Sequence, residues 1–303
     1  MQNCLVAKNV ANLLAHPDPS AEVVSQAIMG APVSVEKTEN NYCYGNTPDG
    51  YHGWISQLRL VEVWDSSKFH LATVKKLFAD LLAEPSQEAE LLTRAVISTR
   101  LAVIHDSEES EFLGVLLPDK RTAYISKLSV EEIYSSVLDG QFFEERWRKS
   151  LESERLHLVN ELGRQAVLTA KKLIGTPYLW GGCTPYGIDC SGLIQLCFKI
   201  NGLNLLRDSY MQYDDKRFEK IEVGKKLDSA QFRAGDIVVF DTMNKGRVTH
   251  IGIAMGNGNF IHASGERVNF GVQIQPCSTP FYRDAYLGAV RLSTKADLAL
   301  SAA

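Results

Sequence analysis

The chain has 303 residues, 45% of them hydrophobic, and carries 32 basic against 36 acidic side chains for a formal net charge of −4. That length predicts about two domains with enough apolar mass for a core, and the balanced charge lacks the polycationic footprint of a nucleic-acid or anionic-lipid binder. No run approaches the roughly 20 consecutive apolar residues of a spanning helix, and the N-terminus lacks a basic segment followed by an apolar core, so a soluble, cytoplasmic chain without a membrane partner is expected.

From the N-terminus, residues 45 to 60 (GNTPDGYHGWISQLRL) splice turn residues into short apolar runs, the pattern of short strands in a small barrel. A shift of 70 lays residues 48 to 60 on 118 to 130, matching Pro48 with Pro118, Asp49 with Asp119, Ile55 with Ile125, Ser56 with Ser126 and Leu58 with Leu128, with Trp54 against Tyr124. A duplicated barrel is therefore expected. Between the copies, Leu71, Val74, Leu77, Phe78, Leu81 and Leu82 fall at helical spacing ahead of Pro85, which predicts an amphipathic linker helix. The acidic run at 108 to 111 (EESE) reads as a solvated loop.

A second helix is expected from about His157 to Ile174, ending at Gly175 with Pro177 beyond. After it the composition turns to glycine-bearing turns and β-branched runs. The resulting organisation is a first barrel at 1–65, a linker helix at 66–88, a second barrel at 89–150, a catalytic domain at 155–293 and a tail at 294–303.

The stretch from 175 to 200 (GTPYLWGGCTPYGIDCSGLIQLCFKI) opens as a glycine-rich loop and closes as a helix, because Leu193, Leu196, Cys197 and Ile200 repeat at helical spacing. Asp189 is then the N-cap and Cys190 lies in the first turn, where unpaired N–H groups and the helix dipole favour a thiolate nucleophile and can hold an oxyanion. A cysteine nucleophile needs a base, and the base needs an orienting partner. His250 and His262 lie on two strands joined through Gly256, Asn257 and Gly258. A two-residue loop would put the histidines on opposite faces. A three-residue loop over 256 to 258 pairs 252 with 262 and brings the imidazoles within reach, so that loop, with a positive-φ glycine, is the one predicted.

These blocks, together with RDSYMQ (207 to 212), AGDIVVF (234 to 240) and YLGAVRL (286 to 292), resemble the NlpC-type papain-like cysteine peptidases of bacterial cell walls, over roughly residues 165 to 292. The resemblance implies an α+β fold in which two SH3-like β-barrels precede a papain-like peptidase domain, its cysteine-bearing helix packed on an antiparallel sheet. It implies Cys190 as nucleophile, His250 as base, His262 as orienting residue and Tyr178 near the oxyanion hole. In the subgroup with N-terminal barrels it further implies a γ-D-glutamyl-L-diamino acid endopeptidase. Its partners would be peptidoglycan-derived peptides with a free N-terminal L-alanine, and it would act as a monomer in wall-peptide recycling. Asp189, Ser191, Ser209 and Trp180 would then bind the peptide, while Tyr51 and Glu22 would recognise its amine. Ile188 and Cys183 depart from the family's usual residues.

Cys4, Cys43, Cys183, Cys190, Cys197 and Cys277 form no CxxC pair, and free thiols in a reducing compartment are expected. Cys183, Cys190, His250 and His262 fit no common zinc spacing, so neither a metal nor another cofactor is expected. Arg207 and Asp208 read as a structural ion pair.

Overall fold

The computed structural model describes residues 2–66, 68–133, 141–221, 231–266 and 269–298. Contacts divide the chain into two compact units, Met1–Val137 and Leu138–Ala303.

In the first unit, alternating apolar side chains make strands β1 (Gln2–Val6), β2 (Val10–Leu14), β3 (Val23–Ile28), β4 (Pro32–Glu39), β5 (Tyr42–Asn46), β6 (His52–Ser56) and β7 (Leu60–Glu62). They form an antiparallel sheet in the order β3-β2-β6-β5-β4-β1-β7. A second set repeats it: β8 (His70–Val74), β9 (Phe78–Leu82), β10 (Leu91–Val96), β11 (Arg100–His105), β12 (Phe112–Leu116), β13 (Thr122–Ser126) and β14 (Val130–Ile133), in the order β10-β9-β13-β12-β11-β8-β14. A single 3₁₀ turn precedes the last strand in each, at Gln57–Arg59 and Lys127–Ser129. The duplication is thus complete, strand for strand. Each module buries its inward-facing residues, Leu13, Val33 and Ile55 in the first and Leu81, Leu101 and Ile125 in the second. Met29 of the first module enters the second module's core, and Trp64 Nε1 donates to Pro118 O at 2.9 Å.

The linker helix expected at 66–88 does not form; its apolar residues lie on β8 and β9. Two period-2 strands joined by the short turn after Val74 mimic the i, i+3, i+4 spacing of a helix. Strand pairing decides the matter: β8 is bonded to both β11 and β14, and β9 to β10 and β13. The second module therefore begins near His70, and the helix at residues 141–149, inside the range 89–150 expected for the second barrel, belongs to the second unit.

The second unit comprises α1 (Gln141–Lys149), α2 (Glu152–Lys172), a two-residue ribbon of β15 (Cys183–Thr184) and β16 (Gly187–Ile188), α3 (Cys190–Ile200), α4 (Ser209–Tyr213), β17 (Phe218–Ile221), β18 (Ile237–Phe240), β19 (His250–Ala254), β20 (Asn259–Glu266), β21 (Asn269–Pro276), α5 (Pro280–Ala285) and β22 (Tyr286–Leu292). Among the described residues its main sheet is antiparallel, in the order β17-β22-β18-β19-β20-β21, and α3 packs on β19, β20 and α2. The stretch after Leu292 is no loose tail as far as it is described. Ala296 and Leu298 are buried, and Trp147 Nε1 donates to Ala296 O at 3.1 Å.

Candidate active site

Cys190 opens α3, and Asp189 caps it by accepting from Gly192 N at 2.7 Å. The glycine at 192 is required by close approach: a Cβ there would stand 2.2 Å from Gly182 O. Backbone packing of the glycine loop on the first turn of α3 thus fixes where the thiol sits. Asp189 accepts five hydrogen bonds among the described residues, from Gly181 N, Gly192 N, Ser191 Oγ and both terminal nitrogens of Arg207. Arg207 NH1 also donates to Ser191 Oγ at 2.8 Å, and Gln212 Nε2 donates to Ser191 O at 3.0 Å. Arg207 is 2% exposed and its ion pair with Asp189 is bidentate, the arrangement a guanidinium fork suits. Asp189 and Ser191, expected to hold substrate, belong to a buried network that holds the cysteine's turn. The pairing of Arg207 with a residue 18 positions earlier leaves no local signal in the sequence.

The histidines come from the hairpin of β19 and β20. Ile253 pairs with Ile261 and Ala254 with Phe260, and Met255 N donates to Asn259 O, so the loop is residues 256–258. Gly256 and Gly258 both have positive φ, 79° and 82°. This is the three-residue loop predicted from the spacing, and it puts both histidines on one face. His250 Nε2 lies 2.8 Å from His262 Nδ1 with the rings nearly perpendicular at 85°.

Cys190 reaches this pair through the backbone. Along β19, Ala254 N donates toward β18 and Met255 N toward β20, so by alternation the Ile251 N–H also points to the β20 side. The β19–β20 ladder runs only over Ile253 and Ala254. The Ile251 N–H goes to the Cys190 sulfur, as does that of Ser191. Helix start and strand start therefore meet at one sulfur atom.

The whole site is buried. Burial pushes the Cys190 thiol up to about 12, the Asp189 carboxylate adding to the effect and Arg207 and the two N–H groups opposing it. Burial also pushes His250 down to about 4, and burial together with His250 holds His262 well below the usual histidine range. Burial thus opposes the thiolate that the helix dipole favours, and it favours the neutral forms of thiol and imidazole. With Nε2 of His250 committed to His262, Nδ1 is the nitrogen left to exchange a proton.

Aromatic rings enclose the histidines. Tyr282 of α5 lies 5.8 Å from the His250 ring and 5.0 Å from that of His262, and Phe260 lies 4.8 Å from His262. Tyr282, absent from the sequence-derived candidates, hydrogen-bonds Ser264, and burial pushes its phenol up to about 12. Tyr178 forms an isolated bridge with Ile188, packs edge-on against Phe270, and is held above the ordinary tyrosine range by burial first and Cys190 second. It is therefore a neutral O–H donor near the sulfur. Trp180 is 56% exposed on the same loop, and Ser209 opens α4 half-buried. Tyr51 and Glu22 belong to the first unit. Tyr51 follows the turn closed by Gly50 N on Thr47 O and packs on its module's core, and Glu22 is exposed just ahead of β3.

A thiol on a helix N-terminus, a histidine beside it and a second residue fixing that histidine form the constellation for acyl transfer by a cysteine. Residues 175–291 match the model of the NlpC/P60 family, and residues 13–59 match that of the bacterial dipeptidyl-peptidase Sh3 domain. The chain carries an NlpC/P60 domain behind a bacterial SH3 domain. A γ-D-glutamyl-L-lysine dipeptidyl-peptidase of Bacillus cereus is 29% identical over 279 residues, 88% of this chain and 74% of its own. Dipeptidyl-peptidase 6 of Lysinibacillus sphaericus is 27% identical over 276 residues, 88% of this chain and 90% of its own. The crystal structure of an NlpC/P60 family protein from Bacillus cereus superposes with a TM-score of 0.73, covering 96% of this chain and 99% of that one at 23% identity, which establishes the shared fold. The chain is a cysteine peptidase.

Proposed function

We propose that this peptidase hydrolyses the γ-D-glutamyl-L-diamino acid bond of wall-derived peptides that carry a free N-terminal L-alanine. The observation that carries the proposal is the 2.8 Å His250–His262 contact, next to the Ile251 N–H that faces the Cys190 thiol, in a chain similar over 88% of its length to a γ-D-glutamyl-L-lysine dipeptidyl-peptidase.

In this reading His250 Nδ1 takes the Cys190 proton as the sulfur attacks the γ-glutamyl carbonyl carbon, and the imidazolium that forms keeps donating Nε2–H to His262 Nδ1. Charge on the carbonyl oxygen is met by the Tyr178 hydroxyl and by N–H groups at the start of α3. The C–N bond breaks, the departing amine takes the proton from His250, and a thioester remains on Cys190. Water, deprotonated by His250, then attacks the thioester and restores the thiol. Trp180 and Ser209 contact the peptide, and its ammonium donates to carboxylate and hydroxyl partners. Selection for a free amine directs the enzyme to released fragments, as wall-peptide recycling requires.

The test is hydrolysis of L-Ala-γ-D-Glu-L-Lys, of its diaminopimelate counterpart, and of both with acetylated N-termini. Cleavage of the free peptides after glutamate with a loss of at least ~10-fold on acetylation is expected, in line with removing a charge-assisted contact. Equal rates refute amine recognition, and no cleavage refutes the bond assignment.

A further inference from the structure

The two SH3-like modules differ at one corresponding place. In the first, the β4–β5 hairpin closes through Asn40 and Asn41, both at positive φ, and Lys37 pairs across the strands with Tyr44. The Lys37 ammonium lies 5.2 Å from the Tyr44 ring centroid and 5.0 Å from that of Trp54, the two rings being 5.2 Å apart. The module thus holds an ammonium of its own over an aromatic pair, a favourable cation–π arrangement.

In the second module, strands up to β11 correspond at an offset of 68 and strands from β12 onward at 70, so two extra residues fall in the β11–β12 turn. His105 stands in the place of Lys37, Gly114 in that of Tyr44 and Tyr124 in that of Trp54. His105 pairs with Gly114 just as Lys37 does with Tyr44, each next to a register shift in its strand. A Cβ on residue 114 would lie 2.9 Å from His105 Cβ, so a ring like that of Tyr44 has no room beside this histidine. With the ammonium and one ring gone, a groove of about 490 Å³ opens, lined by Phe112 and Tyr124, by Pro85 and His105, and by the carboxylates of Glu109 and Glu111. Lys127, the nearby cation, is held by Asp106 at 2.5 Å and by Ser107 O at 2.8 Å.

We infer that this groove of the second module binds the ammonium-bearing side chain of a basic residue in a peptide, taking from outside the cation that Lys37 supplies within the first module. Tyr124 and Phe112 contact the aliphatic stem and face the charge, and Glu109 and Glu111 pair with it. The acidic run at 108 to 111, a solvated loop by sequence alone, is the wall of that groove. The inference is independent of the bond the peptidase cleaves.

The experiment is a ¹⁵N–¹H correlation titration of the full chain with acetyl-Gly-Gly-L-Lys-amide, whose one charge is the ε-ammonium and which offers no γ-glutamyl bond. Saturable shifts are expected at Glu111 to Gly114 and at Tyr124, with the amides around Trp54 unmoved because Lys37 already occupies that place. Binding weakens by about fivefold or more when the ε-amine is acetylated, when Tyr124→Ala removes the ring, and when Glu109→Gln and Glu111→Gln are combined. The two glutamates are exposed, so that variant tests the inference without risk to the fold. Absence of saturable shifts, equal binding of the acetylated peptide, or unchanged binding by the paired glutamine variant overturns it.

Discussion

His250 Nε2 and His262 Nδ1 lie 2.8 Å apart, and the opposite nitrogen of His262 is buried with no hydrogen-bond partner among the described residues. For His250 to keep Nδ1 open for a proton, it must carry hydrogen on Nε2, and His262 must then carry hydrogen on its own Nε2. Base catalysis through His250 Nδ1 thus requires one tautomer of the pair, which leaves an N–H of His262 inside an aromatic cage.

That arrangement makes His262 a positioning residue. In His262→Ala, His250 loses the 2.8 Å partner of its Nε2, so kcat is expected to fall by about 10²–10⁴ with KM little changed. His262→Asn presents an amide oxygen to His250 Nε2 and is expected to recover part of that loss. Steady-state kinetics on the free tripeptide measure both, and a KM effect without a kcat effect contradicts the assignment.

Cys190→Ala is expected to abolish turnover and leave the fold intact, because it removes one sulfur atom and keeps the Cβ at the start of α3. Circular dichroism and the peptide assay together check this. The thiol is buried and its pKa stands at about 12. Alkylation of the resting enzyme by iodoacetamide is therefore expected to accelerate with pH throughout 7 to 10, with no plateau at acidic pH. A plateau below pH 6 would reveal a preformed thiolate–imidazolium pair.

Both histidines are held below their ordinary value of 6.5, His250 at about 4, and regain that value on unfolding. Between those limits the unfolded chain binds more protons than the folded one, so folded-state stability is full above about pH 6.5 and is lost as pH falls toward 4. His250 alone accounts for up to about 3 kcal/mol of that loss. Denaturant melts at pH 7 and pH 4.5 measure it, and His250→Phe is expected to flatten the dependence.

Arg207→Ala leaves the Asp189 carboxylate 7% exposed and without its counter-ion, which is expected to destabilise the second unit by about 3–5 kcal/mol. Arg207→Lys keeps the charge but loses the two-point fork, and smaller losses of stability together with reduced kcat are expected. Urea melts and kinetics report the two effects separately.

Tyr178→Phe removes one hydroxyl beside the sulfur without changing the ring that packs on Phe270. A drop of about 10–10³ in kcat at near-constant KM is expected if that hydroxyl meets the oxyanion. An unchanged kcat assigns the ring to packing alone.

The chain order of motifs already placed the cysteine on a helix start and the histidines on a hairpin, because helix periodicity, an aspartate cap and paired glycines are local signals. Even the loop length followed, since only one register puts two side chains on a common face. The linker helix failed for the complementary reason. Val74, Ala79 and Leu81 repeat Val6, Ala11 and Leu13 at an offset of 68, and that long-range repeat, rather than the local spacing, identified their strands.

By itself, then, the sequence determined the nucleophile's helix and the hairpin that joins the histidines, both set by residues near one another, and the duplicated module, shown by a repeat about 70 residues on. Only the tertiary structure decided which way burial shifts the thiol and the imidazoles, because desolvation depends on what surrounds a group and not on what precedes it. It also decided the fate of Asp189, which the chain brings to Arg207 across a loop, and the difference between the two modules, where one glycine opposite a histidine leaves open the space that a tyrosine and a lysine fill in the other copy.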